Sequence, residues 1–253
     1  MKQSAAYSLL LVICIFFLMG FACSNSDDKP ATTAANTTTS SNSTLPANTA
    51  TSTTTQDIAG TYNITGQNEG GGGSYGGTLK VTDRDDVYQF SWNSGGRTYD
   101  GVGVQTGDHV AVSFADGTNG TGCGVVLYKI APDGSLDGKA GYWGKNSGET
   151  ETATRTKGTD LEGEYDLKGQ NPNGESYSGK LNVKKNGAGY DFTWNTGTTL
   201  RGFGIKQGDY VSVGLGSNKC GFVGYEVKPD GTLDGKWGGV GTTSVGTETA
   251  KKQ

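Results

Sequence analysis

Residues that could carry catalytic or metal chemistry are few in this chain of 253 residues. His109 is the only histidine, and an internal repeat described below places Tyr210 at the equivalent position. A zinc site with several histidine ligands is therefore excluded, and a histidine-based triad cannot recur in both copies. The cysteines lack Cys-x-x-Cys spacing, which argues against a cysteine-ligated metal. We expect a non-enzymatic protein without metal or cofactor, in which His109 is an exposed residue at the start of a strand.

Two acidic sets could supply oxygen ligands to calcium. Asp133 and Asp137 recur as Asp230 and Asp234, and a second set lies at 83–86. Neither set has the ligand spacing of a known calcium loop. Asp-Gly dipeptides favour tight hairpins, so we interpret the first set as turns and the second as a solvated hairpin tip.

The elements that position these residues follow from an internal repeat after residue 56. Segments 60–64, 74–81, 88–93, 132–139 and 150–153 match 163–167, 176–183, 190–195, 229–236 and 247–250. A unit of roughly 90–100 residues has the size of a small domain. The repeat predicts two domains, 57–156 and 160–251, each closing on itself and joined by a short polar connection at 156–159.

Cys123 and Cys220 occupy the same place in the two copies. Each copy has no second cysteine, so a disulfide within one domain cannot form. An interdomain disulfide is one interpretation, because equivalent positions can meet where two copies pack around a pseudo-twofold axis. Two buried or half-buried free thiols are the other interpretation.

Apolar and polar residues alternate along each copy, which is the period of a strand with one face on a core. Turn signals divide each copy into about eight short strands. In the first copy the strands begin near Gly60, Gly77, Val87, Thr98, His109, Gly124, Ser135 and Glu149. Sequential short strands with short connections predict an all-β fold of two eight-stranded up-and-down barrels of the lipocalin or avidin type, because closure removes exposed edges. A two-sheet sandwich is the alternative.

Six aromatic residues, three in each copy, are candidates to line the barrel interiors. They are Tyr62, Phe90, Trp92, Tyr165, Phe192 and Trp194. An eight-stranded barrel can be filled by side chains or can hold one small ligand. These rings therefore either form the walls of a ligand pocket or simply fill the core.

Residues 1–22 have the features of a signal peptide. Lys2 supplies a positive charge, and the apolar stretch at 9–19 is shorter than a membrane span. Ala22 is a small residue at the expected cleavage position. We therefore predict export.

Cys23 resembles the lipidated cysteine of a bacterial lipobox, although Gly20 and Phe21 depart from the usual pattern. The resemblance implies a lipid on Cys23; cleavage without lipidation and an uncleaved anchor are the alternatives. Residues 24–56, rich in Thr, Ser, Ala and Asn, predict a disordered tether. We expect the protein in the cell envelope, anchored in the outer membrane by its lipid, on the periplasmic or the surface face.

The repeated blocks resemble a family of small exported bacterial proteins that are often labelled fibronectin-binding. Its motifs are a Gly-Thr-Tyr start, a hairpin with Asn, Gly and Tyr, a Trp strand, and an ending with Asp-Gly, Trp and Gly-Thr-Glu. The second copy carries them at 171–174, Tyr177, Gly179, Trp194, 230–237 and 246–248. The first copy departs at 69–73 and has Ala140 where Trp237 would match.

These features together favour a binding protein. The net charge is −4 and no basic stripe occurs, which argues against nucleic-acid binding. The family resemblance implies an adhesin for a host matrix protein such as fibronectin. The alternatives are a carrier that holds a small ligand in the barrel interior, and a periplasmic inhibitor of lysozyme or of a protease.

Overall fold

A computed structural model describes residues 55–216 and 219–253. The predicted signal peptide, Cys23 and almost all of the predicted tether lie outside the described residues. In the part of the chain that is described, no helix is long and apolar enough to cross a membrane.

Strands make up most of the described chain, with one short 3₁₀ turn at Glu69–Gly71. The first repeat forms β1 Gly60–Gln67, β2 Ser74–Arg84, β3 Val87–Ser94, β4 Arg97–Thr106, β5 His109–Asp116, β6 Gly124–Ile130, β7 Leu136–Tyr142 and β8 Glu149–Thr159. The second repeat forms β9 Glu162–Gln170, β10 Ser176–Asn186, β11 Gly189–Asn195, β12 Thr199–Gln207, β13 Tyr210–Leu215, β14 Gly221–Val227, β15 Leu233–Gly238 and β16 Gly246–Lys252. The strand starts agree with the sequence prediction to within a few residues.

The tight turns form where the Asp-Gly dipeptides predict them. The Asp133 carboxylate accepts a hydrogen bond of 2.9 Å from the backbone N–H of Ser135. Gly134 adopts a φ of +81°, a conformation that L side chains rarely adopt. Gly231, at the equivalent turn of the second repeat, has the same φ. Asp133 and Asp230 therefore form turns as predicted, whereas Asp137 and Asp234 lie in the strands β7 and β15.

The strands close into two antiparallel barrels of eight strands each, which confirms the predicted fold class. The first barrel has the strand order β1-β16-β15-β14-β5-β4-β3-β2, and the second has β10-β11-β12-β13-β6-β7-β8-β9. Every neighbouring pair is antiparallel. No sheet edge remains open in either barrel, which protects the strands from pairing with other chains.

The barrels do not coincide with the repeats, which differs from the prediction that each repeat closes on itself. The first barrel combines β1–β5 of the first repeat with β14–β16 of the second, and the second barrel runs continuously from β6 to β13. The repeats have exchanged their last three strands. This exchange is physically possible because β6 and β14 are copies, so β5 meets an equivalent partner in either arrangement.

The predicted connection at 156–159 is also wrong, because those residues belong to β8. β8 pairs with β9 along its whole length, with an irregularity in register between Arg155 and Lys157. The turn falls at Asp160 and Leu161, where Asp160 has a φ of +52°. A hairpin inside the second barrel therefore stands where the sequence predicted a linker between domains.

Equivalent residues of the two repeats meet between the barrels. Cys123 and Cys220 precede β6 and β14 and form a disulfide with a Cα–Cα distance of 5.8 Å. The bond joins the two segments that cross from one barrel to the other. His109 stacks on Tyr210 with ring centroids 3.8 Å apart, so its side chain is only 18% exposed, which differs from the exposed residue that the sequence predicted.

The outward faces of several strands are also buried at this junction. Val102 and Val104 of the first barrel pack with Val125 and Leu127 of the second. The alternate residues of β6, Val126 and Tyr128, belong to the second-barrel core. The two barrels therefore share apolar contacts and pack as a single unit.

Candidate functional site

One end of each barrel is closed by an aliphatic side chain and a tyrosine. The Tyr62 hydroxyl donates a hydrogen bond of 2.7 Å to the carbonyl of Ile58. In the second barrel the Tyr165 hydroxyl donates one of 2.8 Å to the carbonyl of Leu161. All four residues are buried. Two of the six predicted lining residues, Tyr62 and Tyr165, thus belong to the closed end.

The centre of each barrel is filled by stacked rings. Phe90 stacks on Trp92 with centroids 5.6 Å apart, and Phe192 stacks on Trp194 at the same separation. The ring of Phe90 lies across Gly103, where an added Cβ would come within 2.5 Å of it. Glycine is therefore needed opposite the ring, and the phenylalanines act as filling.

A buried glutamate lies above the stacked rings of the first barrel. Glu248 is 6% exposed. Its Oε1 accepts hydrogen bonds from Trp92 Nε1 at 3.0 Å and from the Tyr225 hydroxyl at 2.5 Å, and its Oε2 accepts one from the Tyr75 hydroxyl at 3.0 Å. Burial raises the pKa of Glu248, and the three hydrogen bonds partly offset that rise.

The second barrel repeats this cluster at the equivalent positions. Glu151, 7% exposed, accepts hydrogen bonds from Trp194 Nε1 at 3.1 Å, from the Tyr177 hydroxyl at 3.0 Å and from the Tyr128 hydroxyl. Burial next to Glu151 raises the pKa of Tyr128 well above its ordinary value. We call Glu248 and Glu151, each with its three donors, the glutamate clusters.

Sequence reasoning missed both glutamates, although a signal for them was present. Glu151 stands two residues before Ala153 and Glu248 two residues before Ala250, in a matched block of the repeat. Residues two apart on a strand share a face. Once the alanines are placed in the core, each glutamate must point inward as well.

A glycine in each barrel allows the tyrosine to reach its glutamate. Gly66 pairs with Tyr75 across β1 and β2, and a Cβ on Gly66 would come within 2.2 Å of the Tyr75 ring. Gly169 pairs with Tyr177 in the second barrel, where the same distance would be 2.1 Å. The ring can cross its neighbouring strand only because that strand has no side chain there.

The open end of the first barrel holds a cavity of about 260 Å³. Its walls are aromatic rings and its floor includes the Glu248 carboxylate. The rings are those of Tyr75, Trp92, Tyr99, Phe114, Tyr225 and Trp237. We call this space the first-barrel cavity. Of the six predicted lining residues, only Trp92 borders it.

The rings of the first-barrel cavity hold one another in place. Tyr75 and Trp237 meet edge to face at 6.2 Å between centroids, and Tyr99 and Phe114 do so at 5.9 Å. Trp92 packs on Phe114 at 5.5 Å. Such geometry is favourable for aromatic pairs, so the walls are formed before any ligand arrives.

The rim of the cavity is polar. Asn68 lines it from the connection between β1 and β2, Ser94 from the end of β3 and Arg97 from the start of β4. Arg97 forms an ion pair with Asp116. Its guanidinium carbon also lies 5.7 Å from the centroid of the Tyr99 ring.

One polar atom of the cavity wall, the indole nitrogen of Trp237, lacks a hydrogen bond within the described part of the chain. The Trp237 indole N–H is buried and has no hydrogen-bond partner of acceptable geometry among the described residues, although the Tyr75 hydroxyl lies nearby.

The second barrel lacks these aromatic walls at its corresponding end. The positions of Tyr99, Phe114 and Trp237 are occupied by Leu200, Leu215 and Ala140, which follows from the strand register and the repeat. Instead, Tyr142 packs against the second-barrel core. Burial, with Glu149 and Glu151 nearby, raises the pKa of Tyr142 to about 12. The aromatic walls therefore belong to the first barrel alone.

Metal chemistry has no site of the usual kind in the described part of the chain, where no three His, Cys, Asp or Glu side chains converge. Comparison of the chain with family models, curated proteins and solved structures gives no match.

Proposed function

We propose that this protein binds a small organic ligand in the first-barrel cavity. The observation that supports the proposal most is the set of aromatic walls around a buried carboxylate at the open end of one barrel. Ligand sites are typically concave, mostly apolar and equipped with a few polar groups. Among the functions expected from the sequence, this is the small-ligand carrier. The adhesin and inhibitor functions stay predictions.

The size of the cavity limits the ligand. A volume of about 260 Å³ lies just under the usual range for drug-sized ligands. The ligand is therefore a compact molecule held by one barrel. In this proposal the second barrel supports the first, since it contributes Val125 and Leu127 to the apolar interface and is joined to the first barrel by the disulfide.

The orientation of β1 suits a lipid-anchored carrier. β1 begins at Gly60, next to the closed end at Ile58, and it ends beside Asn68 at the rim of the cavity. A lipid on Cys23, as the sequence predicts, would hold the first barrel by its closed end.

A ligand screen with matched variants tests the proposal. We would measure the melting temperature of the full-length protein against a panel of small metabolites, because a ligand that binds the native state alone raises it. Trp237→Ala removes a wall of the cavity, and Tyr142→Ala removes the ring at the same end of the second barrel.

The expected result is that at least one compound stabilises the protein, that Trp237→Ala abolishes the shift and that Tyr142→Ala retains it. Quenching of tryptophan fluorescence gives a second readout, since Trp92 and Trp237 both line the cavity. A shift that survives Trp237→Ala would place the ligand elsewhere, and a panel without any hit would contradict the proposal.

A further inference from the structure

Resting on the proposed function, we propose that the ligand of the first-barrel cavity is a compact organic cation of the substituted-ammonium class. The negative carboxylate of Glu248 and the six surrounding aromatic rings form an environment that attracts positive charge. The chemistry of each part supports this class in turn.

The first part is an uncompensated buried charge. The groups that donate to Glu248 are an indole and two phenols, all of them neutral donors. Among the described residues that line the cavity, Arg97 is the only cationic one, and it lies at the rim with its charge met by Asp116. A buried carboxylate without a cationic partner is costly, so a ligand that brings a positive charge gains from meeting it.

The second part is the ring faces. Aromatic rings present a negative face, and cages of such rings recognise quaternary ammonium groups. Tyr99 already attracts a cation on the protein itself, because the Arg97 guanidinium lies 5.7 Å from its centroid. The rings that face the interior of the cavity offer the same interaction to a ligand.

The shortage of free hydrogen-bonding groups argues against a sugar or another polyol. The Glu248 oxygens already accept three hydrogen bonds. The Trp237 N–H is the one buried polar atom of the cavity wall left without a partner among the described residues. A polyol would bury several hydroxyls against mostly aromatic walls that offer few hydrogen-bond partners, which is unfavourable. A quaternary ammonium group needs no hydrogen bond at all.

The second barrel shows which part of the site matters. Glu151 keeps the same three types of donor, but leucines and an alanine replace three of the rings. A glutamate cluster alone is therefore a structural feature that both barrels share. The cation site needs the carboxylate and the extra rings together, and only the first barrel combines them.

The test compares choline with 3,3-dimethyl-1-butanol, a neutral molecule of the same shape. Both are titrated calorimetrically into the full-length protein. We expect choline to bind about 10-fold or more tightly than the neutral alcohol, in keeping with the strength of desolvated cation–π contacts. Glu248→Gln keeps the shape of the side chain and should remove most of that preference, while Glu151→Gln in the second barrel should leave it unchanged.

Tyr99→Leu provides a second variant at a half-buried position and copies the residue of the second barrel. It should weaken choline binding by about 3- to 10-fold, with little effect on the melting temperature. Two results would overturn the cationic class and leave the proposed function intact. One is equal affinity for choline and the alcohol. The other is failure of choline to bind while other compounds of the screen bind in a Trp237-dependent way. Loss of all Trp237-dependent binding would overturn both.

Discussion

The two barrels share their strand count, their stacked rings and a buried glutamate with three donors, yet they differ where they open. The shared parts are needed to close and fill an eight-stranded barrel. The differing parts, which are Tyr99, Phe114 and Trp237 against Leu200, Leu215 and Ala140, are free to serve a ligand. A duplicated protein therefore contains its own control: what both copies keep is structural, and what one copy alone has is the candidate for function.

The largest effect should come from removing a glutamate cluster. Glu248→Ala and Glu151→Ala each remove the acceptor shared by one tryptophan and two tyrosines, and we expect each to lower the free energy of unfolding by about 3–5 kcal/mol. Chemical denaturation measures the change. Similar losses of stability in the two variants would support a structural role for the glutamate in both barrels. A loss of stability in only one variant would contradict that shared role.

Removal of the disulfide should have the next largest effect. It closes a loop with a sequence separation of 97 residues, so Cys123→Ser with Cys220→Ser should lower the free energy of unfolding by about 2–4 kcal/mol. Because the bond joins the two crossing segments, both barrels should lose stability together. Hydrogen exchange of the buried strands can follow each barrel, and destabilisation of one barrel alone would count against the exchanged topology.

Substitution of the equivalent glycines, Gly66 and Gly169, should lower the stability by a smaller amount that is similar in the two barrels. Gly66→Ala and Gly169→Ala each place a methyl group against a tyrosine ring, and we expect a loss of about 1–3 kcal/mol in either barrel. Only Gly66→Ala should also weaken ligand binding, because it displaces Tyr75 from the cavity. Weakened binding in Gly169→Ala would contradict the assignment of the site to the first barrel.

The smallest effect concerns pH. The pKa of Glu248 is raised in the folded state, so the folded protein holds this proton more tightly than the unfolded chain does. The stability of the wild type relative to Glu248→Gln, measured as the free energy of unfolding, should therefore be highest at low pH. It should fall as pH rises from the ordinary glutamate pKa to the raised one, with a slope of at most about 1.4 kcal/mol per pH unit. A difference that grows with pH through this window would contradict the account.

Much of the fold is predictable because its signals are local. Asp-Gly turns at Asp133 and Asp230 and the two-residue alternation of strands such as β3 mark each hairpin independently of the rest of the chain. The all-β class, the two barrels and nearly every strand start follow from these signals alone.

The exchange of strands is not predictable in this way. β6 and β14 offer equivalent residues for pairing with β5. The repeat itself therefore does not distinguish a barrel built from one repeat from a barrel with exchanged strands. A weak signal lies in β6, where the run Val125–Val126–Leu127–Tyr128 is apolar on both faces. A strand of a free-standing barrel would keep one face polar, so this run indicates a second surface packed on its outer side.

The site was visible in the sequence only as an irregularity. Ala140 stands where the second repeat has Trp237, and this difference gives the first barrel an aromatic wall that the second barrel lacks. The glutamates escaped notice because a lone carboxylate in a repeat block is most often a surface residue. Their burial depends on donors from three other strands, which the sequence order does not bring together.

The most direct test is a crystal structure of the full-length protein soaked in the tightest-binding compound from the screen. The account predicts ligand density in the first barrel, over Glu248 and against Trp237, with none over Glu151 in the second barrel. Density in both barrels alike, or only on the outer surface of the molecule, would contradict it.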